Sequence, residues 1–399
     1  MSPAPSPHVP PSPHVPPDRL GPLETVWGMP IGAQPGVRPL APDSELTLRA
    51  ALEEAVLPAL RRAPCVVSFS GGRDSSTVLA VATSVARREG LPDPVPYTHR
   101  FPHVPDSHED EWAELVVRHL GLREWQRPAW HDEMDVLGPF ARTVLRRDGV
   151  LPPFNGHLHE PVFAAARGGS VLTGIGGDEL FSQVSRYPVV RLLARRAPLS
   201  PRALPRAAFS ALAPAPLRAR RAGRHLPLDF GWLRPDTARR LRAAVARHTA
   251  SEPLRWDRAA RRWLWPSRVL HVAGAAKERM AAAHDVHVSH PFSRPATLRA
   301  AAVAFGWAGP RGRAGELLRH VGDLLPRALC ERESKAGFNG AFWTATAASF
   351  AQRWTGVGVD ADLVDPEALR AEWAGPDPDL HSVTLLQHAW LAQEGPAAR

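Results

Sequence analysis

Residues 65–76 read CVVSFSGGRDSS, and they decide the fold. A short apolar run, Cys65 to Phe69, leads into Ser70-Gly71-Gly72-Arg73-Asp74-Ser75-Ser76, and the periodic stretch TVLAVATSVARREG follows at once. That order spells a buried strand, a tight glycine turn and the N-terminus of a helix. Glycines let the backbone come close to a ligand, and the unpaired N–H groups of a first helical turn favour an anion. Ser70, Ser75 and Ser76 add hydroxyl donors, and Asp74 adds a carboxylate suited to Mg2+. The stretch suits a polyphosphate with its metal. It is not the Walker loop, because no G-x-x-x-x-G-K followed by Ser or Thr is present.

A second apolar run ending in glycines lies at 170–181, SVLTGIGGDELF, where Gly174-Ile175-Gly176-Gly177 delivers Asp178 and Glu179. Between the two loops come a strand candidate at 94–101 and the helix DEWAELVVRHLG. Its Trp112, Leu115, Val116, His119 and Leu120 fall at i, i+3, i+4, i+7 and i+8 before Gly121. Residues 46–190 therefore alternate short strands with amphipathic helices, as a doubly wound parallel α/β sheet does. In such sheets ligands sit beyond the carboxyl ends of the strands, so Asp74 and Asp178 are expected to share one rim.

Together, Ser-Gly-Gly-x-Asp-Ser and Gly-x-Gly-Gly-Asp-Glu resemble the ATP pyrophosphatase core of asparagine synthetase and its relatives. Those relatives include β-lactam synthetases and lasso-peptide macrolactam synthetases. The resemblance covers roughly residues 46–395, with AAKERMAAAHDVHVSHPFSRP (275–295) and RESKAGF (332–338) in the order the family shows. It implies an enzyme that uses ATP and Mg2+ to adenylate a substrate carboxylate and then couples it to an amine, releasing AMP and pyrophosphate. It also implies that Ser70, Gly71, Gly72, Asp74, Ser75, Ser76, Gly174 and Gly176 cradle the nucleotide, that Asp74 and Asp178 hold the metal, and that Glu179 supports Asp178. Lys335 falls where the family carries a Lys at the reacting phosphate, and Arg332 is a further phosphate candidate.

Lys335 has a separate argument. Of 49 Lys and Arg residues only two are lysines, Lys277 and Lys335, so a retained Lys marks a place where a compact point charge works and a planar fork does not. Two positions depart from the family. Ile175 stands where asparagine synthetases have an acid and a β-lactam synthetase a Tyr, and Arg294 replaces the acid ending Pro-Phe-Leu-Asp. The base for the amine then lies elsewhere, with Glu109, Asp110, Glu111 and His290 as candidates, unless the amine arrives neutral or the enzyme is impaired.

Met1 is followed by Ser2, and some 45 residues precede the core, so no glutaminase domain with its leading Cys is expected. The amine is then expected on the substrate itself, as in ring closure of a precursor peptide, with a protease or leader-peptide-binding protein as partner. Free or partner-supplied ammonia is the alternative, as in asparagine synthetase. An RNA-modifying adenylating enzyme and a non-catalytic family member also remain open.

The bulk properties fit. The 399 residues, 44% of them hydrophobic, can bury a large core. No apolar run spans a membrane, no signal peptide is recognisable, and Cys65 and Cys330 define no disulfide framework or metal motif. A cytoplasmic protein is expected. The net charge of +9 is concentrated at 191–224, an Arg/Pro/Ala/Leu connecting segment read as helical pieces broken by prolines. It lacks the aromatic interleaving of a single-strand nucleic-acid surface, so nucleic acid is not expected as a partner. Residues 1–45, with the doublet PSPHVPPSPHVPP, read as a Pro-rich disordered tail, and 225–399 as a mainly helical half.

Overall fold

The protein is known here as a computed structural model that describes residues 16–107, 109–181, 187–196, 200–228, 230–332 and 337–394. The apolar run before the first glycine turn is strand β1 (Cys65–Ser68), joined by β2 (Val95–Tyr97), β3 (Ser170–Leu172) and β4 (His287–Ser289). All pair in parallel in the order β2-β1-β3-β4. The α/β sheet is thus the one expected, but its fourth strand comes from the half that reads as helical. With a length of three residues, β4 is too short for its alternation to stand out from Ala-rich flanks.

Alternation along the strands sends side chains to opposite faces. Cys65, Val67 and Leu172 join a cluster with helices α1 (Leu48–Leu60), α2 (Arg73–Arg88) and α3 (Asp110–Leu120). Val66, Val171 and Val288 face the other way, into a cluster with α4 (Pro139–Asp148), α5 (Glu160–Ala165) and α6 (Arg268–Ala282). A parallel sheet needs both faces covered, and each Val or Leu so buried contributes roughly 1.5–3 kcal/mol. Cys65 and Cys330 are buried and unbridged. Among the described residues no helix is long and apolar enough to cross a membrane.

Two readings need correction. Helix α3 ends at Gly121 (φ +63°) as expected, but it buries Ala113, Val116, Val117 and Leu120, and His119 is exposed. The apolar face is rotated by part of a turn because Ala113, small enough to lie against the glycine loop, takes the place assigned to Trp112. Residues 16–45 are not a disordered tail. Arg268 binds both oxygens of Glu24 at 2.7 and 2.8 Å, donates to Gln34 and to the Arg19 carbonyl, and is itself buried. The Trp265 indole donates to the Arg38 carbonyl, and Val26 lies in the C-terminal core beside Trp232 and Trp390. Residues 1–15 lie outside the described residues. The connecting segment contains helices Leu204–Leu212 and Ala215–His225, each with Pro in its first turn.

Candidate active site

The glycine turn after β1 is tight. Gly71 adopts φ +79°, and a Cβ there would come within 3.1 Å of Ala113 on α3. The turn is braced by its own hydroxyls: Ser75 Oγ lies 3.2 Å from the Ser70 N–H, from Ser70 Oγ and from the Gly72 carbonyl. Gly72 caps α2 without a side-chain acceptor, so the first N–H groups of a 16-residue helix face the turn. Arg332 is buried, donates to the Gly71 carbonyl, pairs with Glu109 and lies 4.9 Å above the Trp112 ring. It buttresses the turn as well as lining the cavity in front of it.

The second loop reaches the same rim. A Cβ on Gly177 would fall 2.6 Å from Asp74 Oδ1, so only glycine lets the two loops meet. Helix α7 (Arg313–Val321) places Arg313 between them: its guanidinium pairs with Asp74 and donates to Asp178 Oδ1 at 2.7 Å. Two acids distant in sequence therefore share one positive charge. Burial raises the Asp74 carboxyl above the usual carboxylate range against the pull of Arg313, and the Asp178 charge adds to the rise. Burial raises Glu179 in the same way, with Asp178 and Asp74 contributing.

A cavity of about 410 Å3 opens here, lined by Ser70, Gly72, Asp74, Ser75, Gly174, Gly176, Asp178 and Glu179 with Arg73, Arg313 and Arg332. A second cavity of about 390 Å3 adjoins it and shares Ser68, Ser70, Glu109, His159 and Phe338. Its walls are Tyr97, His99, Phe101, Phe338 and Phe342. Of the expected cradle, Gly71 shapes the turn from behind. Ser76 is fully buried and lines neither cavity, because the helix turns its side chain into the core. Lys335 lies outside the described residues, although Arg332 and Gly337 on either side line the cavities.

Among the candidate bases, Glu111 is exposed, Asp110 faces Arg100 and Arg127 at 3.5 Å, and Glu109 is taken up by Arg332. His290 lines neither cavity, but its Nδ1 lies 2.7 Å from Oγ1 of Thr173, which lines the first. No group of three or more His, Cys, Asp or Glu side chains among the described residues is arranged to hold a metal alone. Asp74 and Asp178 fit the other arrangement, in which Mg2+ is bound through one or two carboxylates and substrate phosphates, since they already converge on a cation.

Sequence reasoning missed Arg313. In a chain where almost every cation is Arg, nothing local separates it from its neighbours Arg311 and Arg319. It also missed Thr173, whose only signal was its position directly after the apolar run.

The asparagine synthase family model matches residues 47–392, nearly the whole described chain. No curated protein matches the chain. The chain belongs to the asparagine synthase family, and at family level that supports an ATP-dependent, amide-forming carbon–nitrogen ligase.

Proposed function

We propose that this asparagine synthase family member adenylates a substrate carboxylate with ATP and couples it to an amine, releasing AMP and pyrophosphate. The preferred reaction is ring closure of a substrate that carries its own amine, giving a lactam or macrolactam from a precursor peptide or amino acid. The observation that carries the reading is the meeting of Asp74 and Asp178, from the loops after β1 and β3, on one cation in front of the N-terminus of α2.

In this reading the hydroxyls of Ser70 and Ser75 and the N–H groups of α2 hold the departing pyrophosphate, while Arg73, Arg313 and Arg332 offset its charge. Mg2+ held by Asp74 and Asp178 would neutralise phosphate oxygens and draw them into line. The aromatic cavity beside the loop has room for the nucleoside and acyl group, so positioning of carboxylate and α-phosphorus falls to the shared wall between the cavities. Lys335 would oppose charge growing on the α-phosphate or the tetrahedral oxyanion. Free or partner-supplied ammonia is the second reading, favoured by the description of the matching family. A protease or leader-peptide-binding protein is the partner expected for a peptide substrate, and a cytoplasmic location suits it.

The test is ATP–pyrophosphate exchange with a panel of carboxylates, followed by product mass after incubation with ATP, Mg2+ and a precursor peptide encoded beside this protein. A product lighter by one water establishes ring closure, and an ammonia-dependent amide supports the second reading. Absence of exchange with every acid overturns adenylation. Lys335→Arg is expected to lower exchange at least tenfold despite the retained charge, because the fork cannot mimic a point charge.

A further inference from the structure

The loop after β3 carries Ile175, which cannot accept a proton, yet the same loop places a hydroxyl and an imidazole together. The β3–β4 register aligns Leu172 with Ser289, which sets Thr173 beside His290, and the two bond at 2.7 Å through Thr173 Oγ1 and His290 Nδ1. The Ile175 N–H donates to Thr173 Oγ1 at 3.3 Å. One lone pair of the hydroxyl is thus used, and where the imidazole carries its proton on Nε2 the hydroxyl donates to His290 Nδ1. The Nε2 of that imidazole is buried and has no hydrogen-bond partner among the described residues. Thr173 and His159 line the cavity that holds Asp74 and Asp178.

Behind them stands Lys277, the second of the two lysines and the one that the nucleotide site leaves unexplained. It is 2% exposed on α6, the helix that covers this face of the sheet, and burial lowers its ammonium to about 8, with no carboxylate among the described residues to offset it. Among the described residues, the charged or titratable groups facing His290 are Lys277 on α6, Arg294 just past its own strand and His159 before α5. Burial first, then Lys277 and Arg294, push His290 down to about 3, so it stands neutral.

We propose that Thr173 and His290 form the proton relay of the amide-forming step, with the buried Lys277 behind them as a positioning residue. The inference rests on the adenylation reading above. The amine lone pair forms the N–C bond at the activated carbonyl, and the C–O bond to the phosphate breaks with its electron pair leaving on AMP. The surplus N–H proton passes to Thr173 Oγ1 as the Thr173 proton passes to His290 Nδ1, and the imidazolium later returns it to solvent. The phosphate of the adenylate, bound in the cavity that Thr173 and His159 line, adds negative charge that offsets the field of Lys277 and Arg294 and makes His290 a better base at the moment it is needed.

Nitrogen-15 NMR of the imidazoles in the full chain, with His290 assigned from the His290→Gln spectrum, tests the arrangement without substrate. Wild type is expected to hold His290 neutral with its proton on Nε2 from pH 5 to 8. In a titration carried below pH 5, its pKa in Lys277→Met should rise by at least one unit, while Lys277→Arg keeps it low. A proton on Nδ1 in wild type, or an unchanged titration in Lys277→Met, overturns the relay. With a carboxylate that supports exchange, His290→Gln and Thr173→Val should lower amide formation at least a hundredfold and exchange less than tenfold. Equal losses in both overturn the relay and leave adenylation standing, whereas a wild type without exchange removes both.

Discussion

Two arginines, each bound to carboxylate oxygens, divide this molecule by purpose. Arg268 is nearly saturated: its Nε and Nη2 bind Glu24, Nη2 also reaches the Arg19 carbonyl, Nη1 donates to Gln34, and Glu24 also accepts the Gly21 and Ile31 N–H groups. Arg313 is not. Its Nε has no hydrogen-bond partner among the described residues, its Asp178 partner is exposed, and Asp74 has a raised pKa beside it. A buried ion pair with nearly every donor and acceptor used is a strut, because exchange of any partner leaves an uncompensated charge. A pair left incomplete at the rim of a cavity can trade partners with a ligand. The lesson is to ask of a charge cluster how full it is.

The contrast breaks most sharply at the loop carboxylates. Asp74→Ala and Asp178→Ala should each lower ATP–pyrophosphate exchange by about a thousandfold, roughly 4 kcal/mol of transition-state stabilisation, with melting temperatures near wild type. Large destabilisation with residual exchange would make Arg313 a strut as well. Glu24→Ala should do the reverse. Leaving Arg268 buried without its acid costs about 3–5 kcal/mol, a fall in Tm of roughly 10 °C, while exchange per folded molecule stays within about twofold. Calorimetry and exchange on the same preparations decide between the two.

Lys277 sharpens the comparison, as a buried cation without an acid beside it among the described residues. The unfolded chain keeps this ammonium protonated up to about pH 10.5, whereas the folded chain releases the proton near 8. Unfolded chains therefore bind more protons in that window, and stability rises with pH through it. Below pH 8 the burial penalty is fully present. Lys277→Met should remove this slope and raise stability at pH 7 by roughly 2–3 kcal/mol, read from urea midpoints between pH 7 and 10. A Lys277→Met protein less stable than wild type at pH 7 would mean that the ammonium has a compensating partner.

What the sequence disclosed follows from how local each feature is. The glycine turns, the strands before them and the stop at Gly121 are written within a dozen residues, so they read correctly. The convergence of Asp74 and Asp178 follows from a general rule for parallel sheets and needed only the strand assignments. Arg313, by contrast, acquires its role only when α7 folds back over both loops. Residues 16–45 read as a tail because prolines set their composition, while the ordering of Glu24 depends on Arg268, 244 positions away. His119 shows the narrower failure, in which a period of 3.6 is right and the phase is wrong, since an Ala beside a glycine turn buries better than a larger neighbour.

The strap from Arg19 to Leu40 has a consequence for how the chain is made. Its anchors, Arg261, Trp265 and Arg268, emerge from the ribosome more than 200 residues after it does. The leading segment must wait, unclasped, through most of synthesis, and closing so long a loop is slow. The strap is therefore clasped late, only after anchors made more than 200 residues behind it have appeared.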